Sequence, residues 1–238
     1  LQLSPALVVG FVHAHTQQER EGLRRTYAQS MRMLALAVLP VSLGGAAIMP
    51  ALIPVVFGPA FVPAVPSAVI LMGTVWLVAF AIIPWGMVSA VGESAKLLRI
   101  QVISGILTLV LLAVVVPWAG LQGAAWSRTA VNVVTLLMLL GAVRRLIGPA
   151  LPLGVIVRNM VAALLCALAA AVPVALLDDI PALVVAVPAG GLAYAVALRL
   201  LRVIDAEAAE RLIEKLGAKL PAASRPILER LAPLLAPR

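Results

Sequence analysis

The sequence predicts an all-α fold, a polytopic transmembrane helical bundle, and three observations carry that prediction. Hydrophobic residues make up 63% of the chain and charged residues only 12%, roughly half the share in a soluble domain. Mean hydropathy is +1.11. From Met33 to Gly92 no residue carries a charge, a run long enough for two spans of about 20 residues and the turn between them. So few charges cannot cover a surface facing water, and a surface facing lipid removes that need. Period-two alternation is absent, which argues against membrane β-strands. Helices remain, because in lipid each backbone group must be paired within the chain.

Apolar runs punctuated by Gly, Pro and charge place six complete spans, near residues 33–55, 66–90, 99–117, 121–143, 156–176 and 181–200. The apolar stretch Leu1–Phe11 is too short to span and lacks the basic region and cleavage site of a signal peptide. It reads as the end of a truncated helix, and the chain as part of a longer protein. Four units follow: residues 1–32, that helix end and a basic cytoplasmic segment; 33–145, four spans; 146–202, two additional spans; and 203–238, a cytoplasmic tail.

The connections give orientation. Arg20, Arg24, Arg25 and Arg32 precede the first span, Lys96 and Arg99 follow the second, and Arg144, Arg145 and Arg158 separate the fourth from the fifth. Arg199 and Arg202 close the sixth. The intervening connections, 56–65, 118–121 and 177–180, hold no Lys or Arg. This alternation puts the basic side, with the C-terminus, in the cytoplasm. In the tail, Asp205 is placed to cap a helix, with Glu207 and Glu210 in its first turns. Leu212, Ile213, Leu216 and Leu220 then recur at helical spacing until Pro221, a pattern suited to lying on the inner leaflet.

Several chemistries find little support. Cys166 is alone, so the chain has no disulfide framework and no Cys-based metal site. His13 and His15 lack acidic companions, so no metal is expected. The net charge of +8 is divided among connections rather than gathered on one soluble face, so no nucleic-acid partner is expected. Gly92-Glu93-Ser94-Ala95-Lys96 lacks the glycine spacing of a phosphate loop, and no hydrolase or zinc-protease motif occurs. No cofactor is implied, and the chain reads as a non-enzyme.

Arg128 stands out. It falls inside the fourth span, roughly 10 Å below its outer end at the helical rise, where an Arg costs at least about 2.5–3.5 kcal/mol. No Asp or Glu occurs in any of the six spans, so the expectation is a polar cavity in which Arg128 meets an anionic group, phosphate suiting its planar donor fork. The alternative is an Arg reaching to the outer headgroups. Ser127, Thr129 and Asn132 share or flank its face, and Trp76 of the second span is a candidate for stacking on a sugar. Ser127 and Asn132 serve equally as interhelical hydrogen-bonding groups, and Trp76 as a packing residue. Trp118 fits an outer aromatic belt. Pro40, Pro50, Pro54 and Pro84 remove hydrogen bonds from their helices and bend them, which suits a transporter opening alternately to the two sides.

Leu39-Pro40 through Ile53-Pro54-Val55-Val56-Phe57-Gly58-Pro59-Ala60-Phe61, followed by Ala64, resembles a pattern of the polysaccharide flippases. Val116-Pro117-Trp118-Ala119-Gly120-Leu121-Gln122-Gly123-Ala124-Ala125 is similar to a turn of that family, and Arg144-Arg145 and Leu3-Ser4-Pro5 fit as well. The resemblance covers roughly residues 1–146, and more loosely the last two helices. It implies the later half of a transporter of the multidrug/oligosaccharidyl-lipid/polysaccharide exporter superfamily, in a bacterial inner membrane. It further implies outward flipping of a polyprenyl-pyrophosphate-linked oligosaccharide through a cationic cavity between two lobes. The expected partners are that lipid-linked glycan, membrane lipids and a glycan polymerase or assembly machinery. Two other classes remain open: a drug/cation antiporter of the same superfamily, and a membrane-embedded glycosyltransferase, for which Asp178 and Asp179 are the only acids in an outer connection.

Overall fold

The computed structural model describes residues 17–177 and 179–201. The helix end expected before residue 17, His13 and His15, Asp178, Arg202 and the tail 203–238 lie outside the described residues. Every regular element among the described residues is helical: α1 (Gln17–Phe57), a 3-10 turn (Pro59–Ala64), α2 (Val65–Ala90), α3 (Ser94–Ile147), α4 (Leu153–Leu176) and α5 (Asp179–Leu200).

Helix α1 starts well before the expected span at residue 33. It has 41 residues, about 61 Å at the helical rise and twice the hydrocarbon thickness of about 30 Å. The segment expected as a basic connection is thus, from Gln17, a helical extension. Leu23, Tyr27, Met31, Ala35 and Leu39, one per turn, are all buried and form one stripe that continues from the extension into the span. They meet Met87 and Val88 of α2 and Leu97, Ile100, Leu139 and Val143 of α3 in the main core. Glu21 pairs with Arg24 and Arg25 at 4.0 and 3.5 Å on the exposed side, which contributes little. The stripe holds the extension, not the charges.

Gly58 ends α1 with φ of 90°, a conformation that a side chain would strain, and its amide donates to Pro54 O at 2.9 Å. The chain then turns through Pro59–Ala64 into α2.

Five helices among the described residues are long and apolar enough to cross a membrane, where the sequence reading expected six. The difference lies in α3, which joins the expected spans 99–117 and 121–143 in one element of 54 residues. A straight helix of that length would reach about 81 Å. Gly120, at φ 54° and ψ −137°, interrupts the helical backbone. Ser104 Oγ and Thr135 Oγ1 are 2.7 Å apart, although 31 residues of straight helix would separate them by about 46 Å. Gly120 lies midway between the two. α3 is therefore a hairpin of two antiparallel arms, 94–119 and 121–147, and Trp118 stands 90% exposed at its tip.

The helices form a row. α1 packs on α2 along one side and on the mutually packed pair α4 and α5 along the other, while α3 packs mainly on α2. Lipid tails are as apolar as Leu, so close fit rather than water exclusion drives such packing. A Cβ added at Gly190 would meet Ala170 Cβ at 3.2 Å and the Cys166 carbonyl oxygen at 3.3 Å. One at Gly44 would meet Cys166 Sγ at 3.1 Å. Cys166 is thus a buried packing residue between α1 and α5. The outer surface carries Leu98, Leu109, Leu168, Val184 and Leu192 in exposed positions, as a surface solvated by lipid requires.

Gly190→Leu should push α5 off α4 and destabilise the protein by about 1–3 kcal/mol. Gly191→Leu, beside open space, should leave the thermal unfolding midpoint in detergent close to that of the parent. Equal midpoints for the two variants would contradict the tight α4–α5 contact.

Candidate functional site

The periodicity of the two α3 arms assembles a polar seam. Gln101, Ser104 and Thr108 follow at spacings of three and four on the first arm, and Arg128, Asn132 and Thr135 at four and three on the second. Residues at such spacings share a helix face. The fold-back at Gly120 turns the two faces toward each other. Together with Leu77, Val78 and Ala81 of α2, these six residues, Gly105 and Val131 line a cavity of about 340 Å³.

Hydroxyl bonding inside the seam follows from proton counting. Thr135 Oγ1 donates to the Val131 carbonyl oxygen at 2.8 Å and Thr108 Oγ1 to that of Ser104 at 2.7 Å. A hydroxyl has one proton. With that of Thr135 committed to its own helix, Ser104 is the donor of the 2.7 Å rung between the arms. Outside the cavity, Thr129 Oγ1 lies 3.1 Å from Thr74 Oγ1 of α2; with one proton each, one of the two donates across and the other back to its own helix.

Arg128, Gln101 and Asn132 make no hydrogen bond or ion pair among the described residues. Arg128 lies eight residues beyond Gly120, about 12 Å from the hairpin tip. A guanidinium brings five N–H donors and each amide two more with one acceptor oxygen. The cavity therefore offers many more donors than acceptors and holds one fixed positive charge. Its chemistry matches an oxyanion with hydroxyl groups around it.

Of the five residues singled out in the sequence, Arg128 and Asn132 line this cavity, while Ser127, Thr129 and Trp76 do not. The helical step of about 100° turns Ser127 away from Arg128 into the protein, where it is 4% exposed and its Oγ lacks a hydrogen-bond partner. Trp76, one residue before the cavity-lining Leu77, is partly buried and packs against the main core. Its ring lies edge-on to Phe80 at 5.5 Å and 76°.

Gln101, Ser104, Thr108 and Thr135 were not among the sequence candidates. Their signal was a polar heptad face in each of two apolar helices, and it becomes a site only when the hairpin brings the faces together. Among the described residues no group of three His, Cys, Asp or Glu converges as metal donors. No protein-family model matches the chain, and no curated protein or solved structure matches it either.

If the seam is wetted, a thiol at Asn132→Cys in a Cys166→Ala background should react with a membrane-impermeant reagent at least about tenfold faster than one at Ser127→Cys, since reaction follows access and thiolate formation. Equal rates would mean that the cavity does not admit water.

Proposed function

We propose that this chain is the later part of a membrane transporter that moves a polyprenyl-pyrophosphate-linked oligosaccharide from the inner to the outer leaflet by alternating access. The observation that carries the reading is the open cavity between α2 and the arms of α3 where exposed Arg128, without an acidic partner among the described residues, stands with Asn132, Gln101 and Thr108. A lone intramembrane cation is costly unless it serves a pathway or a partner. A phosphate bridge joined to a sugar supplies both the oxyanion and the hydroxyl groups for which this donor-rich surface is suited. A cation antiporter would call for a carboxylate at this depth, and the cavity lining has none.

In this reading the chain crosses the membrane six times. The fold-back of α3 at Gly120 supports counting its arms as two crossings, each arm being about 40 Å long. Arg24, Arg25 and Arg32 near the start of α1, Lys96 and Arg99 at the start of α3, Arg144 and Arg145 at its end, and Arg199 at the end of α5 then fall on one side. The positive-inside rule makes that side cytoplasmic, and the bacterial inner membrane is the proposed location. A glycan polymerase or assembly machinery on the outer side is the expected consumer of the flipped lipid.

The test begins with deletion of the intact gene and mass spectrometry of sided membrane vesicles. Finished polyprenyl-linked oligosaccharide should accumulate on the cytoplasmic leaflet. An unfinished glycan would point to a transferase, and an unchanged lipid pool would overturn the reading. Complementation with Arg128→Ala should lower the flipping rate by about tenfold or more, the scale of a lost charged hydrogen bond, with normal membrane insertion. Arg128→Lys should recover part of the rate. Full transport by the Ala variant would remove Arg128 from the pathway.

A further inference from the structure

Pro40 breaks the hydrogen-bond ladder of α1 at a definite place. It has no N–H, so the carbonyl of residue 36, four positions earlier, loses its helical donor. That carbonyl is not left bare: Tyr194 Oη of α5 donates to Leu36 O at 2.8 Å. Within the hydrocarbon an unfilled carbonyl is strongly disfavoured, and a side chain from a neighbouring helix is one of the few groups able to replace the missing donor.

A third helix joins at the same point. Asn159 of α4 is fully buried, its Oδ1 lies 2.7 Å from Tyr194 Oη, and its Nδ2 has no partner. A phenol has one proton, and Leu36 O takes it. Turning the Asn159 amide by 180° exchanges its oxygen and nitrogen at the same site. Nδ2 then donates to Tyr194 Oη, and Oδ1 takes the position without a partner. The result is a relay, Asn159 N–H to Tyr194 O–H to the Leu36 carbonyl, joining α4, α5 and the point where Pro40 interrupts the α1 ladder.

We propose that α4 and α5 act as a clamp on a hinge in α1: Tyr194, oriented by Asn159, replaces the donor lost at Pro40 and so holds the two segments of α1, before and after residue 40, at one angle. Tyr194 is a positioning residue, since none of the cavity-lining side chains belongs to α4 or α5. The clamp explains why a half-buried tyrosine hydroxyl sits at bilayer depth in an otherwise apolar helix. It holds whatever the transported molecule is.

The test uses the full chain in lipid nanodiscs, with Cys166→Ala and spin labels at Gln29→Cys and Val56→Cys, both exposed on α1 and on opposite sides of Pro40. The parent should give one distance population. Tyr194→Phe removes one oxygen and keeps the ring, and should raise a second, differently bent population about threefold to twentyfold, the range for one interhelical hydrogen bond in a membrane. Pro40→Ala returns an N–H to residue 40, so adding it to Tyr194→Phe should restore the single population. An unchanged distribution in Tyr194→Phe would overturn the clamp. So would equal change with and without Pro40→Ala, which would make Tyr194 a packing residue only. Should Tyr194→Phe fail to insert, recovery by Pro40→Ala supports the clamp and failure to recover overturns it.

Discussion

In hydrocarbon no water is present to accept or donate a hydrogen bond, so every polar group must find its partner within the chain. That constraint organises this molecule at each level. It makes every regular element of the described chain a helix. It governs the hydroxyls as well: Thr108 and Thr135 each donate back to the carbonyl four residues earlier, a bond that lets a Thr sit in an apolar helix. And it makes each proline a small structural problem, because the donor lost there has to be replaced. At Pro40 the replacement comes from α5. The same need for internal partners makes the three cavity residues that lack them, Arg128, Gln101 and Asn132, conspicuous.

With the backbone paired, association of the helices falls to shape. α1 is the axis of the row, and its two sides are served by small residues. On one side Ser42 Oγ donates to Met72 O at 2.7 Å, and Gly45 leaves room for the Met72 side chain. On the other, Gly44 faces Cys166, which in turn is covered by Gly190. Because each contact is a close fit of glycine against a larger neighbour, the angle between the helices is well defined. The long apolar side chains are spent elsewhere, on the outer surface facing lipid and in the cluster that closes the end of the bundle around Tyr27, Met31, Met87 and Val143.

The membrane class and the approximate position of every helix were legible in the sequence because they depend on local quantities, hydropathy and length. α2, α4 and α5 were located to within a few residues. The extension of α1 was not, because four arginines and two glutamates concealed an apolar stripe at every fourth residue, Leu23 to Leu39. The hairpin in α3 was half legible. Gly120 and Pro117 marked a boundary there, but the helical conformation runs up to Gly120 from both sides and leaves almost no loop. At the cavity, Arg128 announced itself by its cost in lipid, and Asn132 by sharing its face one turn away. Ser127 and Trp76 stand off this cavity, Ser127 because the 100° step of the helix turns it away from Arg128. Gln101, Ser104, Thr108 and Thr135 needed the fold-back, which no local property encodes. Tyr194 with Leu36 is separated by 158 residues, and only the three-dimensional meeting of three helices reveals what Pro40 requires.

The division of the row into two sides then has a mechanical consequence. The cavity is built from α2 and α3 alone, and α4 and α5 bear on α1 from the opposite direction. Influence of α4 and α5 on the cavity has one route through α1 to α2, along the Ser42–Met72 bond and the Gly45 contact. Those contacts lie just beyond Pro40, on the segment whose angle the Tyr194 bond controls. A change of angle at residue 40 would carry Ser42 and Gly45 with it and shift α2 through Met72. Leu77 and Val78, one to two turns further along α2, form a wall of the cavity. The proline that weakens α1, the tyrosine that supports it and the glycine that couples it to α2 thus lie along one path. At the far end of that path stands the arginine that lacks a partner.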